Sequence, residues 1–256
     1  MGLCKLPNRS GVSITIDGEK VKENLNLKTE NINILCNNLI YDNYYIIKHA
    51  VVHNNAIHIV GFGNTDSNSV YLKTHYKWDG STWQNVSELP YKIQWGRVVV
   101  YNNEIHILGG NSADHYKWNG SKWVSVSTLP YNFSKGGAVI YNNEIHILGG
   151  ENNSSKHYKW NGSSWTSVSN PPNFYCGNCL AYNNEIHIFD DYLYSKNHYK
   201  WNGTSWISDI SCPYGNSYGT GFILKEDNIY MFGNDGNSQY NNTLRKCYVY
   251  NGTVWT

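Results

Sequence analysis

The chain has 256 residues, a formal charge of +1 and only 15% charged residues. No block of like charge is present, so long-range attraction to nucleic acid or to an anionic membrane is not expected. The sequence has no apolar run of bilayer length and no apolar signal-peptide core near its start, so we expect neither membrane insertion nor signal-directed export.

The first predicted element is a hairpin near the N-terminus. Residues 13–27 read SITIDGEKVKENLNL, and the Asp17-Gly18 pair is of the kind favoured in tight hairpin turns. We therefore separate an N-terminal segment, residues 1–44, from the repeats at 45–256. Two roles are consistent with this segment: it covers an exposed sheet edge left by the repeats, or it is a small separate docking element.

A repeated unit fills the rest of the chain. Its most regular segment, HYKW, begins at His75, His115, His157 and His198, and a diverged copy, CYVY, begins at Cys247, so the spacings are 40, 42, 41 and 49 residues. A second segment, typified by YNNEIHILGG, keeps the same spacing. Repeats of this length are typical of solenoids and propellers.

Each unit is predicted to form four strands. In one copy these are strand a at Val98 to Val100, strand b at Ile105 to Leu108, strand c at His115 to Trp118 and strand d from Trp123. Asn-Asn separates strands a and b, and Asn-Gly separates c and d; both pairs tolerate the backbone of tight hairpin turns. Four antiparallel strands per unit is the arrangement of a propeller blade.

The repeats resemble those of the kelch family. Strand b ends in Gly-Gly at Gly109-Gly110 and Gly149-Gly150, and a tyrosine and a tryptophan follow at the family's spacing, as at Tyr116 and Trp123. The resemblance implies an all-β fold: a kelch-like β-propeller with five recognisable four-stranded blades, to which the N-terminal hairpin adds a partial sixth blade or a closing element. Propellers host many functions, so the resemblance implies little about activity.

One end of the predicted propeller carries the sequence variation. The a–b and c–d turns are nearly the same in every copy, whereas the b–c and d–a loops, which share the opposite end, differ. Variable loops on a rigid scaffold generally carry binding specificity. Aromatic candidates for ligand contact on these loops are Tyr91, Trp95, Phe133, Phe174, Tyr175, Tyr192, Tyr194 and Tyr218. Polar candidates at the start of the innermost strand, beside the central channel, are His49, Arg97 and Asn178.

Histidine and cysteine patterns favour no metal site. Histidines recur within the I-H-I strands, and residues repeated in every blade are most simply explained by packing, so we predict no metal and no cofactor. Cys176 and Cys179 form a lone C-x-x-C motif, whose spacing suits a redox pair or half a zinc site. No second motif accompanies it, so coincidence is the simpler explanation.

The near-identical repeats and the Asn/Lys/Tyr bias look similar to kelch-like proteins of phages and prophages of Gram-positive bacteria. That resemblance implies a non-enzymatic virion protein, made in the host cytoplasm and present in multiple copies in an assembly. Its expected partner is a host surface glycan or a neighbouring virion structural protein. Two alternatives remain: a cytoplasmic kelch scaffold for protein–protein interaction, and a sugar-modifying enzyme such as a sialic acid mutarotase.

Overall fold

The structure is a computed structural model, and every described element is a strand or a turn. The described residues are 45–46, 49–61, 63–64, 73–93, 95–150, 152, 155–172, 177–190, 195–215, 221–234 and 245–256. Within them, no helical segment has the length and hydrophobicity of a membrane-spanning helix. The predicted N-terminal hairpin lies outside the described residues.

The strands follow one another in the predicted order. In chain order they are β1 (Tyr45–Ile46), β2 (His49–His53), β3 (Ala56–Val60), β4 (Gly63–Asn64), β5 (His75–Trp78), β6 (Trp83–Asn85), β7 (Arg97–Tyr101), β8 (Glu104–Leu108), β9 (His115–Trp118), β10 (Trp123–Ser125), β11 (Gly137–Tyr141), β12 (Glu144–Leu148), β13 (His157–Trp160), β14 (Trp165–Ser167), β15 (Gly177–Tyr182), β16 (Glu185–Asp190), β17 (His198–Trp201), β18 (Trp206–Ser208), β19 (Gly221–Lys225), β20 (Asn228–Asn234) and β21 (Arg245–Tyr250).

These strands form five antiparallel blades. The first blade has the order β2-β3-β5-β6, and the next three are β7 to β10, β11 to β14 and β15 to β18. The fifth is β19-β20-β21, with a bridge between Tyr250 and Trp255 where a fourth strand would begin. β1 and β4 form a separate two-stranded sheet. The fold prediction of an all-β propeller with five blades is therefore confirmed.

Tryptophans join each blade to the blade before it. The ring of His75 in the first blade lies 5.0 Å from that of Trp118 and 5.4 Å from that of Trp123, both in the second blade. The same two contacts recur at the next two interfaces, and at the last one Tyr250 and Trp255 take the tryptophan positions beside His198. The recurrent rings therefore fill the interfaces between blades, which explains their repetition.

The uniform end of the propeller is held by the a–b turns. Both residues of each a–b turn have positive φ: the turn is Asn-Asn in the first four blades, as at Asn183 and Asn184, and Glu226-Asp227 in the fifth. The hydroxyl of Tyr141, at the end of strand a in the third blade, donates to the carbonyl of Asn184 in the fourth at 2.9 Å. Tyr182 donates to Asp227 of the fifth blade in the same way. These two turns are thus tied to the preceding blade through a backbone carbonyl, and the positive φ of the turn favours asparagine.

Candidate functional site

Trp95 is an exposed ring at the variable end, in the loop that precedes β7. Its side chain is 36% exposed and its φ is +60°. Lys135 occupies the same position in the third blade, with φ of +61°. A positive φ is uncommon for side chains of this size and is often associated with functional positions.

Trp95 of the second blade and Lys135 of the third contact each other across the interface between these two blades. The amide of Lys135 donates to the carbonyl of Trp95 at 2.8 Å, and its Nζ lies 5.3 Å from the centroid of the indole ring. The ammonium is therefore within the range of a cation–π contact. The backbone hydrogen bond and the ring contact together fix the two side chains as a pair at the loop end of the propeller.

The glycines that follow this pair hold it close to the sheets. A Cβ on Gly96 would lie 2.8 Å from the carbonyl oxygen of Leu108, and a Cβ on Gly136 would lie 2.5 Å from that of Leu148. Both distances are shorter than packed atoms allow. These glycines therefore serve close backbone packing, and the loops before β7 and β11 lie directly against the ends of the neighbouring strands.

Tyr91 acts as a structural tether in the loop. Its hydroxyl donates to the carbonyl of Gly109 at 2.6 Å, and Tyr131 makes the same bond to Gly149 at 2.8 Å. Burial, and to a smaller extent the negative charge of neighbouring groups, raises the pKa of both phenols above their ordinary range. The tyrosine of each loop is therefore bound to the glycine pair that ends strand b, and Tyr91 offers a ligand little free hydrogen-bonding capacity.

Phe133 is a packing residue in this structure, which corrects its selection as a contact candidate. Its side chain is 0% exposed, as is that of Ile93, the equivalent residue of the second blade. Cβ atoms placed on Gly109 and Gly136 would both collide with Phe133. The ring therefore fills the space that these glycines leave, and it presents no surface to a ligand.

The polar candidates stand at equivalent positions of the innermost strands. Arg97 pairs with Leu108, His49 with Val60 and Asn178 with Phe189. Arg97 and His49 begin the paired part of strand a, and Asn178 is the second paired residue of β15. Arg97 is half-buried and its Nη1 donates to the carbonyl of Gly96 at 2.9 Å, whereas His49 is buried. This hydrogen bond holds the side chain of Arg97 against Gly96, the residue between Trp95 and Arg97. The other candidates, Phe174, Tyr175, Tyr192, Tyr194 and Tyr218, lie outside the described residues, as does Cys176.

Buried histidine pairs are the feature that the sequence prediction missed. Within a blade, the strand-b histidine and the strand-c histidine hydrogen-bond through Nδ1 and Nε2 at 2.7–2.8 Å. The four pairs are His58–His75, His106–His115, His146–His157 and His187–His198. Because His106 is opposite Lys117 and His115 is opposite Leu108, the two rings are diagonal neighbours on one face. The repetition of both histidines was visible in the sequence, but the pairing follows only from the strand register.

These pairs are neutral packing elements. Burial is the main cause that lowers the pKa of every member, to between about 3 and about 4. A neutral pair has one imidazole donating and the other accepting. His157 and His198 each also place Nδ1 against a backbone carbonyl, which favours a proton on that nitrogen.

The fourth blade adds an acid to its pair. His187, His198 and Asp209 offer ligand atoms that all lie within 4.8 Å of one another. However, Asp209 accepts a hydrogen bond of 2.6 Å from Tyr250 and lies 3.8 Å from the ammonium of Lys200. The same histidine pair recurs in three blades where valine replaces the acid, so packing explains the pair without an ion. The sequence expectation that the chain holds no metal stays a prediction.

Comparison with known proteins supports the architecture. No protein-family model matches the chain, and no curated protein matches it. Among solved structures, the chain is similar to one titled "Structure of YjhT", with a TM-score of 0.62 over 78% of this chain and 80% of that one. The sequence identity is 11%, so the likeness concerns the fold alone. The described part of the chain is accordingly an all-β propeller with five blades, whose loop end carries an exposed tryptophan paired with a lysine.

Proposed function

We propose that this protein is a non-enzymatic binding propeller that recognises a glycan of a host cell surface, and that it acts in multiple copies in a phage particle. The contact of Lys135 with the exposed ring of Trp95 carries the proposal. A fixed indole plane stacks on the apolar face of a sugar ring, and an adjacent ammonium donates hydrogen bonds to its oxygens.

The backbone supports a recognition role for this pair. Trp95 and Lys135 are both held at positive φ, although neither residue type favours that conformation. Their carbonyl and amide are hydrogen-bonded to each other, so the pair is fixed before a ligand arrives. A rigid aromatic side chain loses little conformational freedom on binding, which favours affinity.

The distribution of perturbed titratable groups favours binding over catalysis. Active sites tend to place groups with shifted pKa values in a cleft. Among the described residues, the histidines with strongly lowered pKa values lie inside the sheets, in strands b and c. Tyr91 and Tyr131, whose pKa values are raised, donate to backbone carbonyls in the loops. These groups are therefore engaged in holding the fold.

A glycan array that includes host cell-wall polysaccharides tests the proposal. We expect the wild-type chain to bind a restricted set of glycans and Trp95→Ala to lose that binding. Ile207→Ala is the matched control, because Ile207 is also an exposed large apolar side chain but lies in β18, the outer strand of the fourth blade. Equal binding by wild type and Trp95→Ala would contradict the assigned site, and binding to virion proteins but to no glycan would contradict the ligand class.

A further inference from the structure

The fifth blade has one packed face. Phe222, Ile229, Met231 and Tyr250 are all buried, and they share an apolar cluster with Leu180 and other residues of the fourth blade. In this respect the blade behaves like the second, third and fourth blades, which each pack one sheet face on the blade before them. The fifth blade therefore packs against the fourth blade in the same way as the earlier blades pack against their predecessors.

The opposite face of the fifth blade is open. Strand register makes Phe232 equivalent to Phe189 of the fourth blade, because the two pair with Cys247 and His198 respectively. Phe189 is 0% exposed, whereas Phe232 is 40% exposed. Cys247 occupies the position of the strand-c histidine in the fifth blade; it is exposed, whereas the histidines at this position in the other blades are buried.

The other side chains on the open face of the fifth blade are also more exposed than their equivalents in the fourth blade. Side chains of this face in the fourth blade are buried by the fifth blade: Leu180, Tyr182, His187, Phe189 and His198. Their equivalents in the fifth blade are all half-buried or exposed: Ile223, Lys225, Tyr230, Phe232 and Cys247. Four of these five are apolar or aromatic, as expected of a surface that another sheet covers.

The described blades also leave the ring open at this point. The innermost strands contact one another in sequence, β2 with β7, β7 with β11, β11 with β15 and β15 with β19. No comparable contact joins β19 to β2 in the described part of the chain. The first blade nevertheless buries Ile57, Ile59 and Trp78, the residues by which the later blades dock on a preceding blade.

We propose that residues 1–44 of this chain cover the open face, with their hairpin in the position of the c–d strands of a further blade between the fifth and the first. Consecutive HYKW segments begin 40, 42 and 41 residues apart, so the 44 residues before β1 are enough chain to cover one sheet face. Its hairpin at residues 13–27 has the c–d pattern, with Asp17-Gly18 at the position of Asn119-Gly120. A covered face also removes an apolar surface that would otherwise favour aggregation.

The repeat gives this docking a specific register. At every described interface, the last residue of strand c and the first residue of strand d pack against the strand-c histidine of the preceding blade. In the N-terminal hairpin these positions are Ile16 and Val21. Cys247 is the fifth-blade equivalent of that histidine, so the proposal places Ile16 and Val21 against Cys247.

Crosslinking in the full-length chain tests this register. Ile16→Cys and Thr15→Cys are treated separately with a short bis-maleimide, and linked peptides are identified by mass spectrometry. We expect an intrachain link between position 16 and Cys247, and little from position 15, which alternation places on the other face of the strand. Equal linkage from both positions, or from neither, would overturn the proposal, and links that join two chains would identify a second copy as the occupant.

Thiol labelling of the unmodified protein gives an independent readout. If the segment covers the face, Cys247 reacts at least about tenfold more slowly in the native chain than in the denatured chain, as for a site that reacts only after local opening. Labelling of Cys247 at the denatured rate would contradict the proposal. Cys212 is the internal reference for slow labelling, because it is buried within the described blades.

Discussion

The hydroxyl of Tyr250 lies 2.6 Å from a carboxylate oxygen of Asp209, across the interface between the fifth and fourth blades. Both residues depart from the repeat: Asp209 stands where the first three blades have valine, and Tyr250 stands where the other blades have tryptophan. Burial raises the pKa of Asp209, but the bond from Tyr250 and the nearby positive groups hold it below its ordinary value. The two departures therefore compensate each other.

Replacing one partner of this pair should be costlier than replacing both. Tyr250→Phe leaves the carboxylate of Asp209 without its shortest hydrogen bond, and we expect a loss of about 1–3 kcal/mol in the free energy of unfolding. The double variant Asp209→Val with Tyr250→Trp restores the pattern of the other interfaces and should lose less than Tyr250→Phe alone. Urea unfolding of both variants measures the difference, and a double variant that is less stable than Tyr250→Phe would contradict the compensation.

Acid should destabilise the propeller before its carboxylates titrate. Each paired histidine has a native pKa of about 3 or 4 against an ordinary value of 6.5, so below pH 6.5 the unfolded chain binds more protons than the native chain. Stability is fully present above pH 6.5 and falls as the pH decreases toward 4. Each buried histidine contributes a slope of up to about 1.4 kcal/mol per pH unit.

Urea unfolding between pH 7.5 and pH 5 measures this slope. Replacing both members of one pair, His106→Gln with His115→Gln, removes up to two of the protons that the chain takes up on unfolding. The pH dependence of the free energy of unfolding should therefore become shallower, even if the variant is less stable. The neighbouring charges modulate the effect: Lys117 lowers both pKa values, and Glu104 raises that of His106. A free energy of unfolding that does not change between pH 7.5 and pH 5 would show that the histidines are not buried and neutral.

Two glycine positions separate backbone strain from steric collision. Gly109 has φ of +64°, and its Cβ would lie 2.3 Å from the carbonyl oxygen of Phe133, so Gly109→Ala must displace that backbone. Gly120 has φ of +97° but no atom within 4 Å of a Cβ. We expect Gly120→Ala to cost about 1–2 kcal/mol from strain alone and Gly109→Ala to cost more. Thermal unfolding compares them, and equal losses would contradict the close approach.

Tyr91 and Trp95 should differ in what their replacement changes. Tyr91→Phe removes the hydrogen bond to Gly109 and should lower the free energy of unfolding by about 1 kcal/mol while glycan binding is retained. Trp95→Ala should show the reverse, with stability nearly unchanged and binding lost, because the ring is partly exposed. Thermal unfolding and glycan binding are measured on the same preparations. Loss of binding in a stably folded Tyr91→Phe variant would contradict its role as a tether.

The strand bounds were predicted closely because the same strand pattern occurs in every copy of the repeat. Strand c was predicted at its observed bounds, His115–Trp118, and strand a was one residue short at each end, since β7 is Arg97–Tyr101. Side-chain contacts between neighbouring strands of one sheet were predicted less well. Sequence spacing does not show which side chains meet diagonally across two strands, so the histidine pairs were missed.

The candidate site was predicted in part. Trp95 was selected as an aromatic residue of a variable loop, and it is exposed. Its partner Lys135 was overlooked because a single lysine in a polar loop has no distinctive pattern. Phe133 was selected as an aromatic residue of a variable loop, although an apolar residue, Ile93, occupies the same loop position in the second blade. That equivalence indicated packing and should have outweighed the aromatic character.

Affinity for a glycan identified on the array is the measurement that tests the recognition site most directly. Isothermal titration would compare wild type, Trp95→Ala, Lys135→Ala, the double variant and the control Ile207→Ala. Because the ring and the ammonium act as one contact pair, each single variant should weaken binding by about tenfold or more, and the double variant by less than the product of the two. Wild-type affinity in both Trp95→Ala and Lys135→Ala would contradict the account.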